Sequence, residues 1–199
     1  MNPDPETQDA SSIAGATRPL TARFALRAAT GEAHERLDAL YSAFDLGRSA
    51  DYATFLLAHA PAFLAVEAAL DAAGADVVVD GWASRRRSEA LKADLAALGL
   101  AVPAPATSPS FDGAAAILGA AYVLEGSRLG GAMLVSTVGP GLPTAFLTPG
   151  NPSDWRAFIS LLDERLSSEA SLAAAASAAL SVFTLFERSA LAAPGTDCP

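Results

Sequence analysis

The sequence predicts an all-α protein that folds as a single multi-helix domain. Alanine and leucine dominate while β-branched residues are sparse, a balance that favours helices over strands. The chain has 199 residues, 51% of them hydrophobic, so it is long enough to bury one core. We expect a tail at 1–19, a helical domain at 20–191 and a C-terminal tail at 192–199.

Glycine, proline and capping residues divide this domain into six predicted helices. The second is expected to be kinked or divided at Pro61. The segment 76–82 is expected to be irregular, with a short extended piece at 77–79, and the proline-rich segment 100–112 reads as a loop. Ser153 or Asp154 is expected to cap the fifth helix. The second helix is expected to start near Ser49 or Asp51, either of which could cap it, and to end before Gly74. The other five are predicted at about 21–41, 84–98, 113–137, 153–167 and 169–191.

Charge and cysteine content exclude several classes of protein. The formal net charge is −9, from 13 Lys plus Arg and 22 Asp plus Glu, which argues against nucleic acid or an anionic membrane as the general partner. The single cysteine, Cys198, has no partner for an intrachain disulfide, which fits a reducing cytoplasm. The acidic N-terminus gives no export signal, and we expect the uncharged stretch 170–186 to be a buried or interfacial helix.

The segment 122–131, Tyr-Val-Leu-Glu-Gly-Ser-Arg-Leu-Gly-Gly, places three glycines in a predicted helix. Each glycine costs roughly 1 kcal/mol there relative to alanine. Two interpretations remain open: the glycines let another helix pack closely, or they let a ligand lie on bare backbone. The segment has neither a phosphate-loop pattern nor a Gly-x-Ser-x-Gly nucleophile elbow.

The chain contains two histidines, and one of them has a carboxylate at helical spacing. Asp38 follows His34 by four residues, so it can accept a hydrogen bond from one ring nitrogen and leave the other for a metal. A solvated surface pair has the same spacing and remains an alternative. His59 has Phe63 at that spacing and is interpreted as a packed residue. The chain lacks the Glu-x-x-His pairs of di-iron bundles and the cysteines of structural zinc sites.

Two segments resemble bacterial haem oxygenases that produce biliverdin. The segment 26–38, Leu-Arg-Ala-Ala-Thr-Gly-Glu-Ala-His-Glu-Arg-Leu-Asp, resembles the proximal helix of that family, and the glycine segment 122–131 resembles its distal helix. Both occur in family order at compatible separation, with similar stretches at 52–55 and 91–95 between them. The resemblance covers about 20–191.

The resemblance implies that haem is held between two helices and is both cofactor and substrate. Its oxidative opening with O2 and external electrons would give biliverdin, carbon monoxide and ferrous iron. His34 stands at the position of the iron ligand, and Asp38 at that of the carboxylate that orients it. The glycines would let the distal backbone lie almost on the porphyrin. The expected distal residues are Gly126, Ser127, Gly130 and Gly131.

Further haem contacts are implied at the edges of this site. Arg27 matches a basic position that contacts a haem propionate, and Tyr122 is expected at the pocket edge. A solvated charge and simple core packing are the respective alternatives. Ser127 stands where animal relatives have an aspartate, and basic residues that many relatives carry after the glycines are missing here. Arg128 is expected to bind the cofactor if its side chain reaches the haem edge.

The chain has no flavin or iron–sulfur motif, so the resemblance implies an external electron donor such as ferredoxin or a flavoprotein reductase. A biliverdin acceptor such as a bacterial phytochrome is a further implied partner. Two alternatives stay open: a haem-binding carrier or sensor without turnover, and a helical interaction module that binds no haem.

Overall fold

The structure, a computed structural model, describes residues 21–193, and these residues form eight α-helices, a short 3-10 helix at Val135–Thr137 and no strand. The all-α prediction is confirmed. The predicted tail at 1–19 and residues 194–199 lie outside the described residues. The helices are α1 (Ala22–Tyr41), α2 (Ser49–Ala72), α3 (Ala75–Val78), α4 (Trp82–Arg85), α5 (Ser88–Ala97), α6 (Gly113–Leu134), α7 (Pro152–Arg165) and α8 (Glu169–Leu191).

Helix α8 is the centre of the fold, because α1, α2 and α6 all pack against it. Its contact with α6 is the most extensive of the three, and one glycine explains how the two backbones come so close. A Cβ atom on Gly119 would lie only 2.6 Å from the carbonyl carbon of Ala175. Alanine at 175 and glycine at 119 therefore let α6 and α8 cross almost backbone to backbone.

Helix α2 supplies much of the core, with Tyr52, Phe55, Leu56 and Phe63 all buried. Pro61 lies within it, yet the helix continues on both sides, so the expected division at this proline is wrong, and the expected kink there stays a prediction. Helices α2 and α8 are long and apolar enough to cross a membrane, by length and composition alone. Both pack against other helices, and 67% and 33% of their apolar windows are buried inside the protein.

Three local predictions are wrong. Residues 75–78 form the short helix α3 where an irregular or extended segment was expected. The helix expected at 84–98 is two helices, because the Glu67 carboxylate accepts hydrogen bonds from the backbone N–H groups of Arg87 (2.6 Å) and Ser88 (2.9 Å) and so starts α5 at this point. Asn151, not Ser153 or Asp154, caps α7, since its side chain accepts from the N–H of Ser153 at 3.0 Å.

The connection from α6 to α7 is held against the core by a buried carboxylate. Asp94 of α5 accepts hydrogen bonds from the N–H groups of Ala145 (3.0 Å) and Phe146 (2.8 Å). The Tyr52 hydroxyl donates to the Pro143 carbonyl at 2.7 Å. These bonds place the Phe146 ring inside the protein, behind the glycine segment of α6.

Candidate active site

His34 projects from α1 with its side chain 61% exposed. Its Nδ1 lies 2.9 Å from Oδ2 of Asp38, and the Phe183 ring of α8 meets it edge-on, with ring centroids 5.8 Å apart. A carboxylate at Nδ1 fixes the orientation of the ring and leaves Nε2 for another partner. The arrangement presents one imidazole nitrogen outward from a ring held on two sides.

The exposed face of α1 carries this histidine together with Arg27 and Asp38. These positions recur at seven and four residues, so they share one side of the helix. A neighbouring side of the helix, about 100° around its axis, is buried mainly against α8, which fixes the rotation of α1 about its axis. That buried side consists of Ala22, Leu26, Thr30 and Ala33.

The three glycines of α6 have different surroundings. A Cβ atom on Gly126 or on Gly130 would meet no atom within 4 Å. On Gly131 it would lie 3.2 Å from Cδ2 of Leu147, so this position packs against the connection to α7. The interpretation as a packing glycine therefore applies to Gly131. No described protein group requires a glycine at 126 or 130, so the interpretation as bare backbone for a ligand stays open for these two.

Exposed apolar side chains occur on both helices that carry these residues. Phe24 of α1 is 55% exposed, and Leu129 and Met133 of α6 are 43% and 78% exposed. Met133 follows Gly126 by seven residues and Gly130 by three, which places it on the side of α6 that bears the two glycines. An exposed apolar side chain therefore lies on the same side of α6 as the two glycines, where it is available to an apolar ligand.

A cluster of cations and aromatic rings lies where α1, α6 and α7 meet. The Arg23 guanidinium lies 5.8 Å from the centroid of the Trp155 ring, which stacks on the Tyr122 ring at 6.5 Å. Burial raises the pKa of the Tyr122 phenol, and the charges of Arg23 and Arg27 oppose that shift. Two cations of α1 are therefore close enough to act on a phenol of α6.

Ser127 is partly buried and bonds to an arginine that sequence reasoning did not single out. Its Oγ donates to the Leu124 carbonyl at 2.8 Å and accepts from Nη2 of Arg87 at 2.6 Å. The same Nη2 donates to the Leu124 carbonyl at 2.7 Å. Burial, followed by the charge of Arg128, lowers the pKa of Arg87 to about 9. Its guanidinium also lies over the Phe63 and Phe146 rings, at 4.8 and 5.1 Å.

Arg128 is turned into the protein. One of its Nη atoms donates to the Arg85 carbonyl, and its Nε is buried without a hydrogen-bond partner. Its aliphatic stem passes so close to Gly150 that a Cβ there would lie 2.5 Å from Cδ of Arg128. The expected contact between Arg128 and a haem edge stays a prediction, and these contacts give it no support.

His59 is packed among aromatic rings. Its ring centroid lies 4.1 Å from that of Tyr41 and 4.4 Å from that of Phe55, and its Nδ1 lies 2.9 Å from the Phe55 carbonyl oxygen. Because a carbonyl only accepts, Nδ1 carries the proton. Burial lowers the pKa of His59 to about 4. This geometry agrees with its interpretation as a packed residue.

Within residues 21–193, no group of three or more His, Cys, Asp or Glu side chains could hold a metal ion. A haem iron needs no such group, because the porphyrin supplies four ligands and the protein one axial side chain. Two cavities, of about 430 and 720 Å³, lie elsewhere, and neither is lined by His34 or by the three glycines.

Comparison with known proteins identifies the family. A protein named heme oxygenase from Xanthomonas campestris pv. campestris (strain 8004) is 40% identical over 121 residues, which cover 55% of this chain and 70% of that protein. The chain belongs to the haem oxygenase family. The NO- and CO-bound heme oxygenase of Neisseria meningitidis has the same fold, with a TM-score of 0.72 over 91% of this chain and 100% of that one, at 22% identity. No family model matches the chain.

Within this haem oxygenase fold, the predicted site residues fall into two groups. One group faces outward, or borders the outward face, on α1 and α6. The other is engaged in contacts inside the protein. Arg23, Arg87 and Trp155 were not identified from the sequence. Of these, only Arg23 could have been found from the sequence, because it lies one helical turn before Arg27. The outward group is Arg27, His34, Asp38, Tyr122, Gly126 and Gly130, and the inward group is Ser127, Arg128 and Gly131.

Proposed function

We propose that this chain is a haem oxygenase that opens haem to biliverdin, carbon monoxide and ferrous iron, using O2 and electrons from an external donor. The observation that carries the proposal is the pair of glycines at 126 and 130, where a Cβ would enter open space. Haem is then both cofactor and substrate, and when bound it supplies the redox-active iron and the macrocycle carbon that is oxidised.

The residues present fit a haem. Gly126 and Gly130 leave one side of α6 without side chains, since a Cβ atom at either position would meet no atom within 4 Å, so a flat macrocycle could lie close to the backbone there. Haem also needs a protein ligand for its iron, and the exposed imidazole of His34 could supply it. Its apolar ring edge suits the exposed side chains of Leu129 and Met133.

His34 would hold the iron through Nε2, with Asp38 fixing the ring. A hydrogen bond from Nδ1 to Asp38 would select the tautomer in which Nε2 is unprotonated and available to bind iron. The edge-on Phe183 ring limits rotation of the imidazole. The role of Asp38 is thus positional.

Arg27 and Arg23 would bind the haem propionates beside Tyr122. Two guanidinium groups next to one phenol form a site for carboxylates, since charge-assisted hydrogen bonds to arginine are short and strong. This places the anchoring cations on α1, and the missing basic residues after the glycines are then not required.

Gly126, Ser127 and Gly130 would form the distal side. The two glycines would keep side chains out of this part of the site, so that the backbone of α6 itself would limit the room beside a bound haem. The Ser127 hydroxyl already donates to Leu124 and accepts from Arg87, which leaves it one acceptor position. Proton delivery through Ser127 would therefore pass through an ordered water that donates to it.

Electrons would come from a separate protein such as ferredoxin or a flavoprotein reductase, and biliverdin would pass to an acceptor such as a bacterial phytochrome. We propose the cytoplasm as its compartment, because a chain with a single cysteine, Cys198, forms no intrachain disulfide and so suits a reducing environment. Reduction of the haem complex by a purified ferredoxin system tests the donor class directly.

Haem titration followed by one reductive turnover tests the proposal. The wild-type chain should give a defined Soret band, and the complex should yield biliverdin when reductant and oxygen are supplied. His34→Ala should weaken or shift the band, whereas Glu35→Ala, at the next exposed position of α1, should not. Haem that stays intact under these conditions would favour a carrier or sensor. Binding that does not depend on His34 would refute the ligand assignment.

A further inference from the structure

The three consecutive arginines at 85–87 have no role in the resemblance to haem oxygenases, yet two of them turn into the protein. The side chains of Arg85 and Arg87 are buried, whereas Arg86 is half-exposed and pairs with Asp71 at 3.0 Å. Buried arginines are rare unless they are paired. Arg85 and Arg87 both reach α6, at positions on either side of Gly126.

Arg85 forms a buried ion pair with Glu125, the residue before Gly126. Its Nη1 lies 2.7 Å from Oε2 of Glu125, and the two side chains are 8% and 5% exposed. All of its nitrogens are used, because Nε donates to the Asp80 carbonyl at 3.0 Å and Nη2 to the Asp154 carbonyl at 3.2 Å. Arg85 thus ties α6 to the segment before α4 and to the first turn of α7.

Arg128 of α6 lies next to both residues of this ion pair. It donates to the Arg85 carbonyl, and its Nε lies 4.0 Å from Oε1 of Glu125. The Arg85 guanidinium also lies 5.7 Å from the centroid of the Phe158 ring of α7. We call the side chains of Arg85, Glu125 and Arg128 the ion cluster.

The ion cluster holds α6 from behind. At 3.6 residues per turn, Glu125 points about 120° and Arg128 about 180° away from the mean direction of Gly126 and Gly130. A rotation of α6 by one residue would turn another side chain toward the face that now shows bare backbone. The contacts of Glu125 and Arg128 on one side of α6 therefore determine which residues lie on the side that carries Gly126 and Gly130.

We propose that Arg85 and Glu125 are positioning residues that set the rotation of α6, and thereby which backbone atoms of the distal helix face the haem. This inference rests on the proposed haem oxygenase function. The two residues touch neither haem nor oxygen in this scheme. They act through the orientation of Gly126 and Gly130, so they influence how tightly haem is held and which macrocycle carbon is oxidised.

A buried ion pair suits this task because its geometry is strict. A well-packed apolar pair of the same volume often stabilises a fold as well or better, so such pairs are weak evidence for a stability role alone. Arg85 has three separate acceptors, which an apolar side chain or a lysine could not replace together. Shifts of about 1 Å at a reacting site can change rates by about 100-fold.

The test compares Arg85→Lys and Glu125→Gln with Arg86→Lys, the same conservative change one residue along the chain. Each variant is assessed for helical content and thermal unfolding without haem. Its ferric haem complex is then compared with wild type by the Soret band, by the rate of haem transfer to apomyoglobin and by the ratio of biliverdin isomers after one turnover.

We expect Arg85→Lys and Glu125→Gln to fold, to release haem about 10-fold faster and to change the isomer ratio, since small displacements at the site are amplified in this way. Arg86→Lys should match wild type in all three measurements. If Glu125→Gln does not fold, Glu125→Asp takes its place, because it keeps the charge and shortens the reach. The same changes in release and isomer ratio are expected from it.

The inference would be overturned if both cluster variants had the same Soret band, haem release rate and isomer ratio as the wild-type protein. This holds even if their unfolding temperatures fell. A wild-type chain that binds no haem would instead refute the proposed function. The two failures are therefore distinguishable in the same set of measurements.

Discussion

The two halves of α6 use glycine in opposite ways. In the N-terminal half, Gly119 has the backbone of α8 against it, so an added Cβ would collide with Ala175. In the C-terminal half, Gly126 and Gly130 have no described atom within 4 Å of the place a Cβ would take. The glycine of the N-terminal half is required by helix packing within the protein. The glycines of the C-terminal half lie on the open face where we propose that haem binds.

This difference shows why glycine content alone does not identify a ligand site. A glycine that another helix requires and one that a ligand requires look the same in a sequence. They differ in what a methyl group at that position would meet. Gly131 adds an intermediate case, since its Cβ would lie 3.2 Å from the end of a flexible leucine side chain.

The largest effect is expected from Gly119→Ala. The new methyl group would overlap the Ala175 backbone, which cannot yield as a side chain can, so we expect a loss of about 3 kcal/mol or more in stability. For a chain of this size the unfolding temperature should fall by roughly 10 °C. Circular dichroism on heating, with Gly126→Ala as the matched control, checks it. Equal unfolding temperatures for the two variants would remove the contrast between the two halves.

The two histidines show the same contrast, since His59 is packed inside the protein and His34 is exposed. Burial lowers the pKa of His59 to about 4, against about 6.5 in an unfolded chain. Between these values the unfolded chain binds a proton that the folded protein does not, so stability falls as the pH drops from about 6.5 to about 4. This histidine should account for roughly 2–3 kcal/mol of that loss.

Urea unfolding at a series of pH values, with His59→Phe, measures that contribution. The variant should lose less stability between pH 6.5 and 4 than wild type does. His34→Asn, which removes the exposed histidine and keeps His59, should retain the wild-type slope. An identical slope in His59→Phe would mean that His59 is not a neutral buried residue.

A smaller effect is expected from Arg27→Gln on the open side. Loss of one cation beside Tyr122 should weaken haem binding about 10-fold, the size of one charge-assisted hydrogen bond, and leave the unfolding temperature without haem unchanged. Arg48→Gln, an exposed arginine at the start of α2, serves as the control in the same haem titration. Equal affinities in the two variants would place the propionates elsewhere.

Local patterns predicted most of the helices and the outward face of α1. The His34 and Asp38 pair follows from a spacing of four residues, and the long helices α1, α2, α6 and α8 have bounds within about three residues of those predicted. The break at Arg87 was missed because it depends on Glu67, twenty residues earlier in the chain. Spacing within one helix cannot reveal a carboxylate supplied by another.

The contacts that Ser127 and Arg128 make inside the protein were not predicted, for the same reason. Whether Arg128 reaches a ligand or the Arg85 carbonyl is decided by the path of the chain from α3 to α5, which the composition of α6 does not specify. Arg87 was not singled out because its partners, Leu124 and Ser127, lie about forty residues away. The buried side of α6 behind the site is formed by contacts between segments distant in sequence, which the periodicity of a single helix cannot predict.

The central claim is that the open half of α6 is kept bare for haem. Thermal unfolding of wild type and Gly130→Ala, each with and without haem, tests it most directly. Without haem, Gly130→Ala should be more stable than wild type by roughly 0.5–1 kcal/mol, because alanine favours a helix and meets nothing here. With haem, its gain in unfolding temperature should be clearly smaller than that of wild type. An equal gain in both proteins would contradict the claim.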